Sequence, residues 1–310
     1  MSPLIEPIPR AVIVAIVVTH FPALGGLHRL LAALLPQAER VVVVDNGSGD
    51  DLECWLKDAF SSSLDALEFI PLGGNLGIAA AQNVGIRRAR ELRAEYVLLS
   101  DQDSEPASDM IERLLAVARA KAAAGMRVAA VGPRYLDERQ NNPPPFIRIR
   151  GLRVERQPCH CPQTIAEVDY LIASGCLIPM QTLDTVGDMS EPLFIDYVDI
   201  EWGLRAARHG FQSYGACDAV MRHDLGDEPI EFWGRSLPLH SPLRHYYHFR
   251  NAVWLYRQGE AALHWKLADG WRLVLKYGFY TIFAKPRHLH WWMMTRGIWH
   301  GLRGRMGRLE

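Results

Sequence analysis

Short apolar runs alternate with amphipathic stretches along the first 135 residues of the chain. Continuous apolar runs predict strands that are buried on both faces, at 11–18, 40–44, 67–71, 96–100 and 127–131. Between them, apolar residues at three- and four-residue spacing predict helices, most clearly at 24–35, 78–90 and 107–124. A β-α-β order repeated in this way implies a mostly parallel sheet with helices on both faces. The sequence therefore predicts an α/β fold.

The pattern weakens after Pro133 and becomes helical again towards the end of the chain. We expect an edge strand at 147–156, a strand at 168–172, a short helix at 179–186 and a helix that follows the acidic stretch 194–202. From residue 241 onward, apolar residues recur at helical spacing, as in Tyr246, Phe249, Val253 and Tyr256. The sequence thus predicts a main domain at 1–240, with halves at about 10–133 and 134–240, and a helical extension at 241–310.

The net charge of −1 hides an asymmetry between this extension and the rest of the chain. From Arg244 to the end there are twelve Lys and Arg residues against three Asp and Glu residues, whereas the remainder carries a net charge of −10. Six of the nine Trp residues also lie after residue 250. Basic and aromatic enrichment together indicate an anionic partner or a membrane surface. No stretch reaches the roughly 20 apolar residues that a bilayer span requires.

The five cysteines give no sign of pairing: Cys54, Cys159, Cys161, Cys176 and Cys217. Their number is odd, no CxxC pair is present, and the Cys-His-Cys run at 159–161 is too tight for an ordinary zinc knuckle. No signal peptide is visible, because the apolar run at 11–18 is short and follows a proline-rich start. We therefore expect reduced thiols in a cytosolic protein.

The most informative stretch is the acidic turn after the strand at 96–100. Asp101 and Asp103 stand at the carboxyl end of a central strand, where open α/β sheets bind ligands. Two carboxylates one residue apart can hold one hard divalent cation, which can in turn hold phosphate oxygens. The alternative is that Asp103 or Ser104 only caps the next helix. Capping explains one of these residues but not the whole cluster.

Two other turns bring polar groups to the same predicted edge. Asp45 ends the second strand beside an Asn-Gly turn, so it can contact a base or ribose, or it can form a simple Asx turn. The stretch 73–77 is glycine-rich and precedes a helix whose free N–H groups can bind an anion. It matches neither a Walker A loop nor GxGxxG, so its spacing alone assigns no phosphate site.

Six stretches in this order resemble the GT-A fold of family 2 glycosyltransferases. They are VDNGS at 44–48, GGNLGIAAAQNVGI at 73–86, LLSDQDS at 98–104, FIDYVDIEW at 194–202, HDLGD at 223–227 and SPLRHYYHFRN at 241–251. Within the family they are similar to bacterial rhamnosyltransferases, which use dTDP-L-rhamnose to build O-antigen and related polysaccharides. The resemblance spans about residues 10–255. It implies an inverting transfer of a sugar to a saccharide or lipid-linked saccharide acceptor.

The resemblance assigns roles to residues by position. It implies that the donor nucleotide is contacted by Thr19, Asp45, Asn75, Gly77 and Asp101. It implies that a divalent metal, Mg²⁺ or Mn²⁺, is held across the donor diphosphate by Asp101, Asp103 and His223. It also suggests contacts to the acceptor or the diphosphate from Arg244, Tyr247 and Arg250.

The resemblance places the catalytic base at Asp199, six residues before the helix arginine Arg205. The family usually has Glu-Asp here, whereas this chain has Val198-Asp199, so the role rests on one carboxylate and Asp196 is the alternative. An inverting transfer needs a carboxylate to deprotonate the acceptor hydroxyl and a cation to stabilise the departing nucleoside diphosphate. The structural alternatives are helix capping by either aspartate and an ordinary histidine at His223.

Other functions also fit an α/β chain with acidic clusters. The donor sugar can instead be carried by UDP. A sugar-phosphate nucleotidyltransferase is expected to have a basic, glycine-rich loop after the first strand, but THFPALGG at 19–26 contains neither Lys nor Arg. A non-catalytic nucleotide-sugar-binding protein has no need for both intact acidic clusters.

The expected partners follow from the resemblance and from the basic, aromatic extension. They are a nucleotide-sugar donor and a saccharide or polyprenyl-diphosphate-linked acceptor, with no nucleic acid. Because aromatic side chains favour the bilayer interface and arginines favour lipid phosphates, we expect the extension to lie on the cytoplasmic face of the inner membrane without crossing it. The alternative is that these helices pack on the core or form a homodimer interface.

Overall fold

The computed structural model describes residues 11–49, 51–136, 146–151, 153–159, 161, 163–223, 229–232, 235–238 and 240–310, with the backbone alone at 150, 223, 229–232 and 235–238. The strands are β1 (Ile13–Thr19), β2 (Arg40–Asp45), β3 (Leu67–Pro71), β4 (Tyr96–Asp101), β5 (Ser104–Pro106), β6 (Val128–Leu136), β7 (Phe146–Arg150), β8 (Arg153–Gln157), β9 (Ile165–Val168), β10 (Cys176–Pro179), β11 (Gln212–His223), β12 (Pro229–Phe232) and β13 (Arg235–Pro238). The helices are α1 (Leu24–Leu34), α2 (Asp51–Ala59), α3 (Ile78–Glu91), α4 (Met110–Ala123), α5 (Met180–Val186), α6 (Val198–Arg208), α7 (Pro242–Arg257), α8 (Leu263–Phe283) and α9 (Arg287–Arg303).

One large sheet organises the fold. Its strand order is β3-β2-β1-β4-β10-β6-β11-β5, and β9 also pairs with β11. The first four strands in this order are parallel neighbours, as the alternating β-α pattern predicts. β10 then runs antiparallel between β4 and β6, and β11 is parallel to β6 but antiparallel to β5 and β9. The predicted α/β fold class is confirmed, with a parallel half before residue 102 and a mixed half after it.

Helices cover both faces of this sheet because alternate side chains of each strand point to opposite sides. On β1, Ala15 and Val17 belong to an apolar cluster with residues of α1 and α4. Val14 and Ile16 belong to a second cluster with residues of α3 and α5. The two layers bury the strands and leave the carboxyl ends of β1 and β4 open to a ligand.

The C-terminal helices pack against one another and reach the core. α9 approaches α7 closely, since a Cβ at Gly297 or Gly301 would collide with the backbone of α7. Phe249, Trp265 and Met294 are buried in one cluster that joins the three helices. Among the helices that the structure describes, none combines the length and the apolar character needed to cross a membrane.

The expectation that all cysteines are reduced thiols is wrong for one pair. Cys159, just after β8, and Cys217, in β11, form a disulfide. The two residues are 58 positions apart, so no local spacing in the sequence predicts that they form a disulfide. They meet because β9 pairs with β11 and brings the preceding loop against that strand. Cys54, Cys161 and Cys176 are free thiols, of which Cys176 is buried.

Two predicted elements after Pro133 also differ from the structure. The edge strand expected at 147–156 is a hairpin, because β7 turns at Gly151 and pairs with β8. The strand expected at 168–172 ends at residue 168 and begins earlier, as β9. Short strands at a sheet edge carry few apolar positions, so their boundaries are poorly marked in the sequence.

Candidate active site

A cavity of about 540 Å³ opens at the carboxyl ends of β1 and β4. The strand register explains its position, because Thr19 pairs with Asp45 and Val18 pairs with Asp101 at the same edge of the sheet. Polar and charged lining residues are Thr19, His20, Asn46, Asn75, Gln82, Asp101, Gln102, Asp103, Asp196, Asp199, Arg244 and His248. Most of the residues that the sequence singles out therefore meet at one site.

Asp45 stands behind the wall of this cavity. It is buried, and its carboxylate accepts hydrogen bonds from the Thr19 hydroxyl at 2.9 Å and from the Ser48 backbone N–H at 2.8 Å. Asp45 is not among the lining residues, whereas Thr19 is. The structure thus gives Asp45 the Asx-turn arrangement, in which it fixes the loop that presents Asn46 to the cavity.

Gln102, between the two aspartates of the acidic turn, ties that turn to the loop after β1. Its amide oxygen accepts from the backbone N–H of His20 at 2.7 Å, and its amide nitrogen donates to the His20 carbonyl at 3.2 Å. This two-point contact holds the acidic turn against the loop after β1 and thereby fixes the positions of Asp101 and Asp103. Sequence reasoning left Gln102 without a role, because a reciprocal contact to a distant backbone has no sequence signal.

The glycine-rich stretch supplies Asn75 and Gly77. The Asn75 side-chain oxygen accepts from the Gly77 backbone N–H at 3.0 Å and from the Asn46 amide at 3.2 Å. Gly77 has φ +92, and a Cβ there would lie 2.6 Å from the Phe194 ring. Only glycine fits a left-handed position with so close a neighbour. The helix α3 can therefore begin directly against the acidic loop, whose Phe194 carbonyl accepts from the N–H of Ile78 at 2.8 Å.

The acidic loop before α6 adopts an unusual backbone. Phe194, Asp196 and Tyr197 have φ of 65, 63 and 64, a left-handed region that costs energy for residues other than glycine. The Asn251 side chain supports the loop by donating to the carbonyls of Leu193, Ile195 and Asp196 at 2.8–2.9 Å. Helix α7 thus holds the loop in a strained form, as is common where side chains must be aimed at a ligand.

Asp196 and Asp199 both face the cavity, with different environments. The Arg244 guanidinium donates to Asp196 Oδ1 at 3.3 Å, while Asp196 Oδ2 is buried and has no hydrogen-bond partner among the described residues. Asp199 Oδ1 accepts from the Ile200 backbone N–H at 2.9 Å. Burial, followed by the negative charges of Asp101 and Asp196, raises the pKa of Asp199 to about 6. That value suits a carboxylate that must accept a proton near neutral pH.

The acidic turn offers a donor set that suits a hard cation. Asp101 and Asp103 line the cavity with carboxylate oxygens, the ligands that Mg²⁺ and Mn²⁺ prefer. The charge of Asp101 contributes to the raised pKa of Asp199, and a cation here would offset it. Within the described part of the chain, no group of three or more His, Cys, Asp or Glu residues forms a complete metal site. A cation held here would thus need further oxygens from a substrate or water.

The remaining predicted site residues lie elsewhere. The His223 backbone pairs with Ser104 between β11 and β5, and its side chain is outside the described part of the structure. Tyr247 and Arg250 do not line the cavity. The Tyr247 hydroxyl accepts from the Leu309 backbone N–H at 2.8 Å, and buried Arg250 donates to the carbonyl of Leu193 at 2.8 Å. These two side chains hold the C-terminal residues and the acidic loop, rather than facing a ligand.

Gln82 and His248 are further cavity residues to which the sequence assigns no role. Gln82 of α3 is 3% exposed, and its side-chain oxygen is buried without a partner among the described residues. His248 of α7 also lines the cavity and contacts the Tyr197 ring edge-to-face, with the ring centres 5.0 Å apart. Neither residue could be singled out in the sequence, because each lies within a helix among positions that resemble ordinary packing positions.

Comparisons with known proteins agree with this geometry. The model of the family described as "Glycosyl transferase family 2" matches residues 15–169. The dTDP-rhamnosyl transferase RfbF of Shigella flexneri is 36% identical over 253 residues, which cover 81% of this chain and 82% of RfbF. The chain belongs to glycosyl transferase family 2. The predicted family is thereby confirmed, and the cavity lies among residues of this transferase domain and of the segments that follow it.

Solved glycosyltransferase structures share the fold of this family 2 chain. S. aureus TarS 1–349 in complex with UDP-GlcNAc superimposes with a TM-score of 0.59 at 16% identity, over 94% of this chain and 82% of TarS 1–349. GalNAc-T7, solved with UDP, GalNAc and Mn²⁺, gives a TM-score of 0.59 at 11% identity; the match covers 94% of this chain and 56% of that one. The predicted GT-A fold is confirmed by these likenesses.

Proposed function

We propose that the chain transfers L-rhamnose, with inversion, from dTDP-L-rhamnose to a saccharide or lipid-linked saccharide acceptor in the synthesis of a cell-surface polysaccharide. The observation that carries this proposal is the convergence of Asp101, Asp103 and Asp199 on one cavity. The 36% identity to a dTDP-rhamnosyl transferase supports the donor. Neither a nucleotidyltransferase nor a non-catalytic protein is favoured by any feature of this cavity.

The nucleotide is assigned to the end of the cavity formed by the loops after β1, β2 and β3. Thr19, Asn46 and Asn75 line this end, and Asp45 supports it from behind. Gly77 lets the α3 N-terminus approach closely, so that backbone N–H groups can face an anionic ligand. The unpartnered oxygen of Gln82 is suited to accept a hydrogen bond from a donor hydroxyl or base N–H.

The diphosphate is assigned to the acidic turn. Asp101 and Asp103 would hold Mg²⁺ or Mn²⁺, which when bound offsets the charge of the departing nucleoside diphosphate. Gln102 fixes both aspartates through its two-point contact with His20. GalNAc-T7, which shares the fold, was solved with Mn²⁺. His223 remains a proposed third ligand.

Asp199 is assigned as the general base. Its carboxylate would take the proton of the acceptor hydroxyl as that oxygen bonds to the anomeric carbon, while the bond from that carbon to the diphosphate breaks and dTDP leaves. The sugar thereby inverts, without a covalent enzyme intermediate. Asp196 is the less suitable candidate because Arg244 engages one of its oxygens. It can instead orient Arg244 towards the acceptor side.

We further propose that the outer faces of α8 and α9 rest on anionic lipid at the cytoplasmic face of the inner membrane. Large apolar side chains are exposed on these helices, among them Leu263, Trp271, Val274, Ile282, Trp292 and Trp299. Arg303 stacks on the Trp299 ring at 4.0 Å, so cationic and aromatic groups share one surface. Such a surface matches an interface of acyl chains and anionic headgroups.

Vesicle co-sedimentation tests this surface. The full chain is expected to bind vesicles that contain anionic lipid more strongly than neutral vesicles, and added salt should reduce the difference because it screens headgroup charge. Trp292→Ser combined with Trp299→Ser should weaken binding to both, whereas Leu64→Ser, at a similarly exposed apolar residue after α2, should not. Equal and negligible binding of the unaltered chain to both vesicles would exclude the membrane and favour a homodimer through these helices.

The Cys159–Cys217 disulfide weighs against the cytoplasmic placement, because disulfides persist mainly in oxidising compartments. The fold holds the two residues within bonding distance, so the disulfide is expected wherever the surroundings are oxidising. Alkylation of the protein at the moment of cell lysis counts the thiols. A pair that is fully oxidised at that moment would move the protein to an oxidising compartment.

A further inference from the structure

The C-terminal helices contribute directly to the wall of the cavity. Arg244 and His248, one helical turn apart on α7, both line it. Behind them, Lys276 of α8 places its Nζ 3.0 Å from Nε2 of His248. The family match ends at residue 169, so these three residues lie outside the matched transferase domain. Two of them, Arg244 and His248, lie in the stretch 241–251, and Lys276 lies further along the C-terminal extension.

The contact with Lys276 determines which hydrogen-bonding group His248 presents. Burial lowers the pKa of Lys276, while the charges of Asp269 and Asp196 act to raise it. In its ammonium form Lys276 has only donors, so the ring nitrogen that it meets must be an acceptor and carries no proton. The proton of the neutral imidazole then sits on Nδ1, which makes the ring a donor on its other side. Burial, followed by the charge of Lys276, lowers the pKa of His248 well below its ordinary value, which keeps the ring neutral.

The same contact strengthens His248 as a donor. A hydrogen bond from an ammonium to one ring nitrogen polarises the imidazole and increases the acidity of the N–H on the other nitrogen. A polarised N–H donor forms its strongest hydrogen bond with an oxygen that carries negative charge. Arg244 adds a second cation at this end of the cavity, and its side chain is 40% exposed.

The carboxylates around this pair are already engaged by other groups. Asp269, whose charge reaches Lys276, accepts from the hydroxyls of Tyr197 at 2.8 Å and Tyr256 at 2.7 Å. Asp196 accepts from Arg244. In the described structure, Lys276 has no carboxylate within ion-pair distance, so its charge can act on a ligand through His248.

We propose that His248, held as an Nδ1–H donor by Lys276 and flanked by Arg244, binds a phosphate oxygen of a substrate. Lys276 acts as the positioning residue. The inference rests on the proposed function, because it assigns a substrate group to the same cavity. The phosphate can belong to the leaving diphosphate of the donor or to a phosphorylated acceptor, and both sources present the same anionic oxygen to the site.

Calorimetry on the full chain with two probes tests the proposal. The probes are dTDP with Mn²⁺, and inorganic pyrophosphate added to protein already saturated with dTDP and Mn²⁺. His248→Leu and Lys276→Met should each weaken binding of at least one probe about tenfold, as expected for one hydrogen bond to a charged group. His248→Asn, which keeps an N–H near Nδ1, and Lys276→Arg, which keeps a cation, should stay within about threefold of the parent.

The pattern across the variants separates a ligand contact from packing. Weakened dTDP binding assigns the site to the donor diphosphate, and weakened pyrophosphate binding to the dTDP-saturated protein assigns it to the acceptor. The proposal is wrong if all four variants bind both probes as the parent does. It is also wrong if His248→Asn and Lys276→Arg lose as much affinity as His248→Leu and Lys276→Met. Thermal unfolding of each variant checks the fold. These measurements require no turnover, so failure of the proposed transfer activity would be seen separately, as absence of product with the unaltered chain.

Discussion

Replacement of Asp199 by asparagine is expected to lower the turnover of sugar transfer by roughly 10²–10⁴-fold, the usual effect of losing a general base. The amide keeps the size of the side chain and its acceptor oxygen, but it cannot take the proton of the acceptor hydroxyl. Binding of dTDP with Mn²⁺ should stay nearly unchanged, because the donor contacts lie at other residues of the cavity. Steady-state rates and calorimetric dTDP affinity, measured on the same preparations, separate the two effects.

The pH dependence of turnover should also show the ionisation of Asp199. Because burial and like charge raise the pKa of Asp199 to about 6, turnover should fall as the pH drops through that region and level off above it. Bound metal should move the inflection lower, since a cation offsets the charge of Asp101. The Asp199→Asn variant should lose the inflection together with the rate.

Two controls make the Asp199 result specific. Asp58→Asn, at an exposed residue of α2, removes one negative charge far from the cavity and should leave turnover unchanged. Asp199→Asn should not lower the melting temperature, because it removes a buried charge whose neighbours are also negative. If Asp196→Asn abolishes turnover while Asp199→Asn does not, the base is Asp196 and our assignment is wrong by one helical turn.

Removal of divalent metal is expected to abolish transfer. Asp101 and Asp103 supply two carboxylates and, without a cation, leave the departing diphosphate facing like charge. EDTA should therefore stop release of dTDP, and an excess of Mn²⁺ or Mg²⁺ should restore it. Asp103→Asn should weaken the metal-dependent part of dTDP binding and leave the metal-independent part unchanged.

One result would contradict the predicted metal dependence. Full activity in EDTA, with metal analysis confirming that none remains bound, would remove the metal role from Asp101 and Asp103. The Asp58→Asn variant again serves as the charge control, since it should respond to EDTA and Mn²⁺ as the unaltered chain does. After EDTA treatment, Mn²⁺ should restore the activity of Asp58→Asn but not that of Asp103→Asn. That difference would locate the cation at the acidic turn.

The parallel half of the fold was predictable because its strands are buried on both faces. β1, β2 and β4 are continuous apolar runs, and each ends within one or two residues of the predicted boundary. β10 was not predicted. Its four residues follow a Ser-Gly turn and insert antiparallel between β4 and β6, a pairing fixed by tertiary contacts alone. The same holds for the Cys159–Cys217 bond, which depends on strand pairing far from both residues.

The site was predictable to the extent that strand ends converge. Strand ends placed Asp101, Asp103 and the stretch 73–77 at one edge of the sheet, and the family resemblance added Thr19 and Asp199. The cavity lining includes Thr19, Asn75, Asp101, Asp103 and Asp199. Their assigned chemical roles stay predictions.

Residues that act through distant partners were not predictable. Gln102 holds the His20 backbone, Arg250 braces carbonyls of the acidic loop, and His248 meets a lysine 28 positions later. The contacts of Arg250 and His248 depend on the packing of α7 and α8, for which the sequence supplies only a helical stripe.

The most direct test of the central claim is a donor screen that measures release of nucleoside diphosphate, with added saccharides as acceptors, in Mn²⁺ and in EDTA. The claim is that the cavity of Asp101, Asp103 and Asp199 performs metal-dependent transfer from dTDP-L-rhamnose. We expect dTDP-L-rhamnose to yield dTDP faster than any UDP-sugar yields UDP, only in the presence of the metal, and far more slowly in Asp199→Asn. Faster release of UDP from a UDP-sugar, or equal release by Asp199→Asn and the unaltered chain, would contradict it.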